Sequence, residues 1–497
     1  MSSIKKNYIY NLIYTISGLL FPIITFPYAS RIMLADGIGE VNFFSSIVAY
    51  ISLFTSLGIP LYAIREIAKV RNDNKLLNKT TVEIFFLHII LTVLGYVVVA
   101  ILSLTVSKIS ENISLFLIIS TTIVFTTIGC EWFYQGVEDF KYIVVRGLFV
   151  RIVAVVLLFV LVKDRSDLLW YGLYTVIGTV GGNVYNFVRL RKYINVKSIE
   201  LRNIDLIRHF KPVLHIFLLN VIVSIYVNLD TIMLGFLKDN TAVGYYTAAT
   251  KLSKMVLSVS SSLGIVLLPR LSNLIATQQK DSFISLANKA TSCVLMLASP
   301  FTVALIIMAP CLINVFCGIS YEPAILTLQI ISPIILFIGL SGIIGMQILY
   351  PQGKENLVII STAIGAALNF FINYLLIPIY AQNGAAIATL IAEFMVVSIM
   401  IFIGRKYNPV KLMIKSNMHY IIGSAIMGGV LWGVSLLNLS DLQILPILFL
   451  SGAVSYISYL VIVRERLFFE FIMQIVSPLR IKADCYLSKQ LDKDREN

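Results

Sequence analysis

Charge is what this sequence has least of. Of 497 residues, only 13% are Asp, Glu, Lys or Arg, while 58% are hydrophobic. Soluble domains carry about 25% charged residues, so a water-soluble fold would have too little polar surface to cover this apolar bulk. Cysteine is scarce too. The five are Cys130, Cys293, Cys311, Cys317 and Cys485, with no metal-ligand spacing and no disulfide framework. They read as small apolar side chains in helices. There is no Walker motif, no Gly-rich dinucleotide loop and no H-E-x-x-H. The longest internal polar stretch, about 189–211, is too short for a nucleotide-binding domain. An ATP-driven pump within this chain is therefore not expected, and neither is a cofactor. No small-residue cleavage pattern follows the opening MSSIKK, so the first apolar run is expected to stay as a span.

What is present is a succession of long apolar runs. Crossing a bilayer takes about 20 apolar residues. Runs of that order fall at 9–31, 41–61, 82–105, 113–134, 144–162 and 168–188. After a basic stretch they resume at 212–236, 242–268, 290–312, 324–349, 356–378 and 383–404, and two more follow at 417–437 and 443–462. The expected fold class is an all-α polytopic membrane protein with about 14 transmembrane helices. The basic residues support this count. With both termini cytoplasmic, 31 of the 39 Lys and Arg fall on the inner side and five on the outer side. That is the positive-inside bias. The formal charge of +13 then anchors the chain to anionic headgroups and is no sign of nucleic-acid binding.

The runs pair into halves. GCEWFYQGVEDFK at 129–141 is echoed by GMQILYPQGKENL at 345–357, and Ile32-Met33-Leu34 recurs as Ile232-Met233-Leu234. An even number of spans separates the copies, so both enter the membrane from the same side, as in transporters built of parallel repeats. The expected organisation is a six-helix lobe over 1–188, a cytoplasmic basic linker over 189–211 and a second six-helix lobe over 212–404. Two further helices follow over 405–462, then a cytoplasmic tail over 463–497. In the Gln-Gly phrases, Gly136 and Gly353 suit tight turns. Trp132, Phe133, Tyr134 and Tyr350 suit the headgroup level, and Glu138 and Glu355 suit a helix start.

Charges inside spans are costly and usually face a cavity or each other. Arg31, Arg146, Arg151, Lys251 and Lys254 lie at or within spans. Either they form a cationic lining for phosphate or an acidic sugar, or they snorkel to headgroups and pair between helices. Asp230 and Glu393 are intramembrane acids. They either carry a coupling proton or sodium ion or serve as fixed partners of nearby bases. Arg65 and Glu66 sit past the second run, where they would greet a substrate, close an inner gate as an ion pair, or simply anchor. Glu131 is the one carboxylate of the Gln-Gly phrase with a claim to a cavity, and its counterpart Gln347 is uncharged.

Several stretches carry a family likeness. They are NLIYTISGLLFPIITFPYASRIMLADGIGEVNFF, SLGIPLYAIREIAKVRND, EWFYQGVEDFKYI and the long run from SPIILFIGLSGIIGMQILYPQGKENL to AAIATLIAEF. In this order and spacing the sequence resembles bacterial oligosaccharide and polysaccharide flippases of the O-antigen and capsule type. These share a superfamily with multidrug extruders. The resemblance covers roughly the first 400 residues. It implies two lobes around a central cavity open to alternate faces of the cytoplasmic membrane. It implies a polyprenyl-diphosphate-linked oligosaccharide as substrate, membrane lipids as surroundings, and a polysaccharide polymerase with chain-length machinery as partners. If a proton or sodium counter-ion drives the cycle by antiport, the intramembrane placement of Asp230 and Glu393 makes them its candidate carriers. The rival readings are a drug or metabolite exporter of the same fold and a membrane-bound enzyme of glycan synthesis. Basic lining residues argue against the first, and short outer loops against the second.

Overall fold

The computed structural model describes residues 4–194, 204–410 and 415–470. The parts of the basic linker at 195–203, of the loop at 411–414 and of the tail from 471 on, Cys485 among them, lie outside the described residues. Within them the structure is helical throughout, which is how a chain immersed in lipid satisfies its backbone N–H and C=O groups. The helices are α1 (Ile4–Ser56), α2 (Ile59–Val70), α3 (Asn74–Thr105), α4 (Ser107–Ser110), α5 (Ile113–Gly129), α6 (Glu131–Gly136), α7 (Phe140–Leu161), α8 (Leu168–Val180) and α9 (Gly182–Leu190). Beyond the linker come α10 (Ile207–Leu237), α11 (Asn240–Ala276), α12 (Lys280–Cys317), α13 (Ala324–Ile331) and α14 (Ile334–Ser341), the last running into a π-helical turn over Gly342–Leu349. Then follow α15 (Glu355–Ile403), α16 (Lys415–Ser435) and α17 (Asp441–Ile462).

Nine helical stretches among the described residues are long and apolar enough to cross a bilayer. Two of them, Phe21–Val70 and Glu355–Lys406, have 50 and 52 residues. At 1.5 Å per residue each would rise about 75 Å, more than twice a hydrocarbon core of ~30 Å. Both are broken. Leu34 in α1 has φ 55° and ψ −175°, and Ala381 in α15 has φ 48° and ψ −128°. At Ala381 the chain reverses: a methyl group on Gly384 would lie 2.5 Å from the Leu376 carbonyl oxygen, eight residues back. In an unbroken helix those residues stand about 12 Å apart.

By packing, the chain forms two compact units. One comprises Met1–Leu252, Leu312–Ile331 and Ile359–Ala392, and the other Ser253–Cys311, Ser332–Val358 and Glu393–Asn497. The halves inferred from the sequence are a division by repeat. The compact units are a division by contact, and the first takes helices from both halves.

Apolar side chains cover the outside as well as the core. On α3, Val93, Leu94, Val97, Ile101 and Leu104 are each more than half exposed. A soluble monomer rarely shows such a stripe; in a bilayer it faces acyl chains.

A core of the first unit gathers around the first Gln-Gly phrase. Trp132, Phe133 and Tyr134 are 3%, 0% and 0% exposed and pack with Ile59, Tyr62 and Ile67 of α2. They are core side chains, packed where left-handed Cys130 (φ 41°) breaks the helix ahead of α6. Tyr350, in the second copy, is 52% exposed. Gly136 is likewise not a turn residue. It lacks positive φ, and a methyl group there would lie 2.6 Å from the Ile67 Cγ2. Gly353, with φ 67°, does make the turn. Glu138 has φ 61° and pairs with Arg71 at 2.6 Å, so the neighbouring cation holds it more directly than a helix dipole would.

At the other end of the first unit, α1 meets the α10–α11 turn almost backbone to backbone. A methyl group on Gly244 would lie 2.6 Å from the Ala35 carbonyl carbon, and one on Gly39 would lie 2.6 Å from that of Asn240. Lys108 of α4 reaches the Gly235 carbonyl oxygen and stands 5.2 Å over the Phe43 ring.

Candidate functional site

A cavity of about 370 Å³ lies within the first unit, between α1, α7 and α8. Glycines make room for its cations. Gly18 faces the Arg151 guanidinium, where a methyl group would come 3.3 Å from Nη2. Gly182 faces Arg146, with 3.1 Å to Nε. Arg146 is buried; its Nη2 lies 3.2 Å from Glu131 Oε2, and its Nε has no hydrogen-bond acceptor. Arg151 donates to Ser17 Oγ. Lys251 stands 4.2 Å over the Phe26 ring. Opposite them, Phe21, Tyr174 and Tyr171 form a stacked wall, with centroids 6.1 and 5.7 Å apart. Three cations and one carboxylate line the cavity, a formal excess of two positive charges. A cavity whose charged groups are mainly cations favours an anion. The guanidinium forks suit phosphate oxygens, and the aromatic wall suits the apolar face of a sugar ring.

A second polar cluster in the same unit centres on Asp230 of α10, which is buried. Its Oδ1 accepts from Asn369 Nδ2 at 3.0 Å and Asn373 Nδ2 at 2.6 Å. Its Oδ2 accepts from Thr389 Oγ1 at 2.7 Å and the Tyr246 hydroxyl at 2.5 Å. Asn373 Oδ1 is buried with no hydrogen-bond donor. Tyr246 is buried with the carboxylate it serves.

A third group closes the end of α3 against α10. Glu83 is fully buried, with Arg208 on Oε2, His209 Nε2 at 3.0 Å and the Asp205 N–H donating at 2.9 Å. His209 Nδ1 meets the Tyr62 hydroxyl at 2.8 Å.

A family model described as polysaccharide biosynthesis protein matches residues 4–275, more than half of the chain. The chain belongs to the polysaccharide biosynthesis protein family. Among relatives of this polysaccharide biosynthesis protein is the putative O-antigen transporter of Escherichia coli strain K12, 25% identical over 406 residues, covering 81% of this chain and 97% of the relative. Among solved structures, the lipid II flippase MurJ in an inward closed conformation has a TM-score of 0.68 at 17% identity, covering 92% of this chain and 99% of that one. An inward-facing multidrug resistance transporter of the MATE family has a TM-score of 0.58 at 13% identity, covering 78% and 94%. These two likenesses speak for the fold.

In this polysaccharide biosynthesis protein, Arg146, Arg151, Lys251 and Glu131 line the cavity. Arg31 does not. It is exposed, and its guanidinium donates to the Pro27 and Val315 carbonyl oxygens at 2.8 and 2.5 Å. Lys254 is exposed and outside the lining. Arg65 bonds its neighbour Glu66 at 3.3 Å, and Glu66 also takes Lys69 at 2.8 Å, so these form an exposed ion-pair group on α2. Asp230 joins the asparagine cluster, and Glu393 is buried in the second unit. Asn369, Asn373, Thr389, the tyrosine wall and the Glu83–His209 contact were not anticipated. Two of these left a signal in the sequence: Glu83 is an acid within an apolar run, and Asn369 and Asn373 are two amides four apart, on one helix face, in an otherwise apolar run.

Proposed function

We propose that the protein is a flippase that moves a polyprenyl-diphosphate-linked oligosaccharide from the inner to the outer leaflet of the cytoplasmic membrane by alternating access. The observation that carries this reading is the cationic, aromatic-walled cavity inside a membrane-embedded unit. The O-antigen transporter relative and the family support the substrate class. The proposed architecture is fourteen spans in two six-helix lobes with two additional helices, both termini cytoplasmic. Arg146, Arg151 and Lys251 take the diphosphate, offsetting its desolvation. Tyr171, Tyr174 and Phe21 take the sugars, and the polyprenyl tail stays in lipid. The Gly39–Gly244 approach seals the outer end while the cavity loads from inside. Nothing in this cycle makes or breaks a covalent bond, so the protein is a transporter and not an enzyme. The delivered unit is then available to a polymerase and its chain-length partners.

Asp230 is the proposed ion-coupling residue. Turning the amides of Asn369 and Asn373 would present their oxygens beside the Asp230 carboxylate and Thr389 Oγ1. Such an all-oxygen set suits a hard cation such as sodium, and the donor-less Asn373 Oδ1 fits that use. Glu393 is the second candidate. A drug exporter of the same fold is disfavoured by the cavity's positive excess, which repels cationic amphiphiles.

A deletion strain tests the main reading. It should accumulate the lipid-linked saccharide on the cytoplasmic leaflet, and purified protein in vesicles should restore its transfer. Normal outer-leaflet delivery in the deletion strain would contradict it.

A further inference from the structure

A separate cleft of about 640 Å³ lies in the second unit, where the α11–α12 turn meets the end of α15. Its lining includes Lys280, Arg405 and Lys406 and no acid. Among the described residues, no ion pair engages any of the three. Nearby basic residues of the same unit behave differently: Lys289 and Arg466 both pair with Glu470, at 2.8 and 3.0 Å. Arg270, Lys354 and Arg464 of this unit also make no ion pair among the described residues, so what sets the three apart is that they share one cleft with no acid in its lining.

The cleft is held in shape. Gln352, from the second Gln-Gly phrase, donates to the Ile348 carbonyl oxygen at 2.7 Å and the Tyr407 carbonyl oxygen at 2.9 Å. It thus ties the Gly353 turn to the strand of chain that carries Arg405 and Lys406. Lys354 stands 4.7 Å over the Tyr407 ring and clamps the same segment. One part of the wall is apolar, with Leu274, Ile275, Phe283 and Ile284, and Gln278, Gln352 and Asn408 add neutral polar groups. The positive-inside bias puts all these segments at the cytoplasmic surface.

We propose that this cleft holds the headgroup of an anionic phospholipid of the cytoplasmic leaflet. The cations meet phosphate oxygens, and the apolar wall receives the glycerol and the first methylenes of the acyl chains. Basic pockets between helices on the cytoplasmic side suit such headgroups. A free phosphate ion is the weaker match, since half of the lining is hydrocarbon and contributes nothing to a small hydrated anion. This inference rests on the membrane class and not on the flippase reading.

The test is native mass spectrometry of protein reconstituted in equimolar phosphatidylethanolamine and phosphatidylglycerol. Wild type should retain phosphatidylglycerol selectively. The triple variant Lys280→Gln, Arg405→Gln, Lys406→Gln should retain at least about tenfold less, because each cation near the surface adds to headgroup attraction. A control triple, Lys75→Gln, Arg191→Gln, Lys192→Gln, should retain as much as wild type. Should the first triple misfold, Lys280→Gln alone is read in the same way. Equal retention of both lipids by wild type, unchanged retention by the folded triple variant, or an equal loss in the control triple overturns the proposal. Displacement of the lipid by millimolar inorganic phosphate also overturns it, in favour of a soluble phosphate site.

Discussion

Replacing Gly244 by Ala tests whether the proposed outer seal is a backbone contact. The added methyl group would sit 2.6 Å from the Ala35 carbonyl carbon and 2.8 Å from its Cα, where ordinary contact begins near 3.4 Å. No rotamer relieves this, since every clashing atom is backbone. The α1 and α11 segments must part by about 1 Å, and overpacking of this kind costs ~1–3 kcal/mol. The cost falls only on the sealed state. The equilibrium should therefore shift ~5–150-fold toward the state in which these segments are apart. Spin labels at the exposed Asp36 and Lys238 would report the separation in vesicles. A longer-distance population should grow, and translocation should fall as the outer end fails to seal. Gly429→Ala is the control, because nothing lies within 4 Å of a methyl group there. A distance distribution identical to wild type, in folded protein, would refute the backbone-seal argument.

Three further outcomes are expected. Arg151→Gln and Lys251→Gln should each lower vesicle translocation about tenfold or more, as loss of a charge-assisted contact does, with membrane abundance unchanged; wild-type rates in both variants would remove the cationic lining from the mechanism. Saturating sodium should stabilise the wild type, by about 2.7 kcal/mol at a hundredfold excess over Kd, and the gain over choline should vanish in Asp230→Asn. Thermal unfolding reads this directly, and a sodium effect that survives the substitution would move the ion elsewhere. Glu83→Ala should destabilise the first unit by about 1–3 kcal/mol, because it leaves buried His209 and the Asp205 N–H without their acceptor, while the part-exposed Arg208 can turn to water; a melting temperature within a degree of wild type would show that the contact is dispensable.

The membrane class and the helical fold were legible in the sequence because they depend on sums and periods. Apolar length sets what crosses a bilayer, and the Lys and Arg distribution sets which loops stay inside. Neither needs to know which helix touches which. Some single residues were legible for the same reason: Arg146, Arg151, Lys251 and Asp230 stand out because a charge in lipid is costly wherever it points.

Which partner each charge meets was decided only by the tertiary structure. Arg31 and Arg151 look alike in sequence, yet one is spent on backbone carbonyls and the other lines a cavity beside Gly18. Tyr134 and Tyr350 occupy matching places in the two phrases, yet the first, after the helix break at left-handed Cys130, is buried while the second stays exposed. Asn369 and Asn373 drew little notice because amides carry no charge, and their use depends on α15 passing beside Asp230 of α10, 139 and 143 residues away. By itself the sequence determined that this is a helical membrane protein, its orientation, and where charge would be costly. Packing decided which of those charges line the cavity and which meet partners elsewhere, because that depends on contacts between helices distant along the chain.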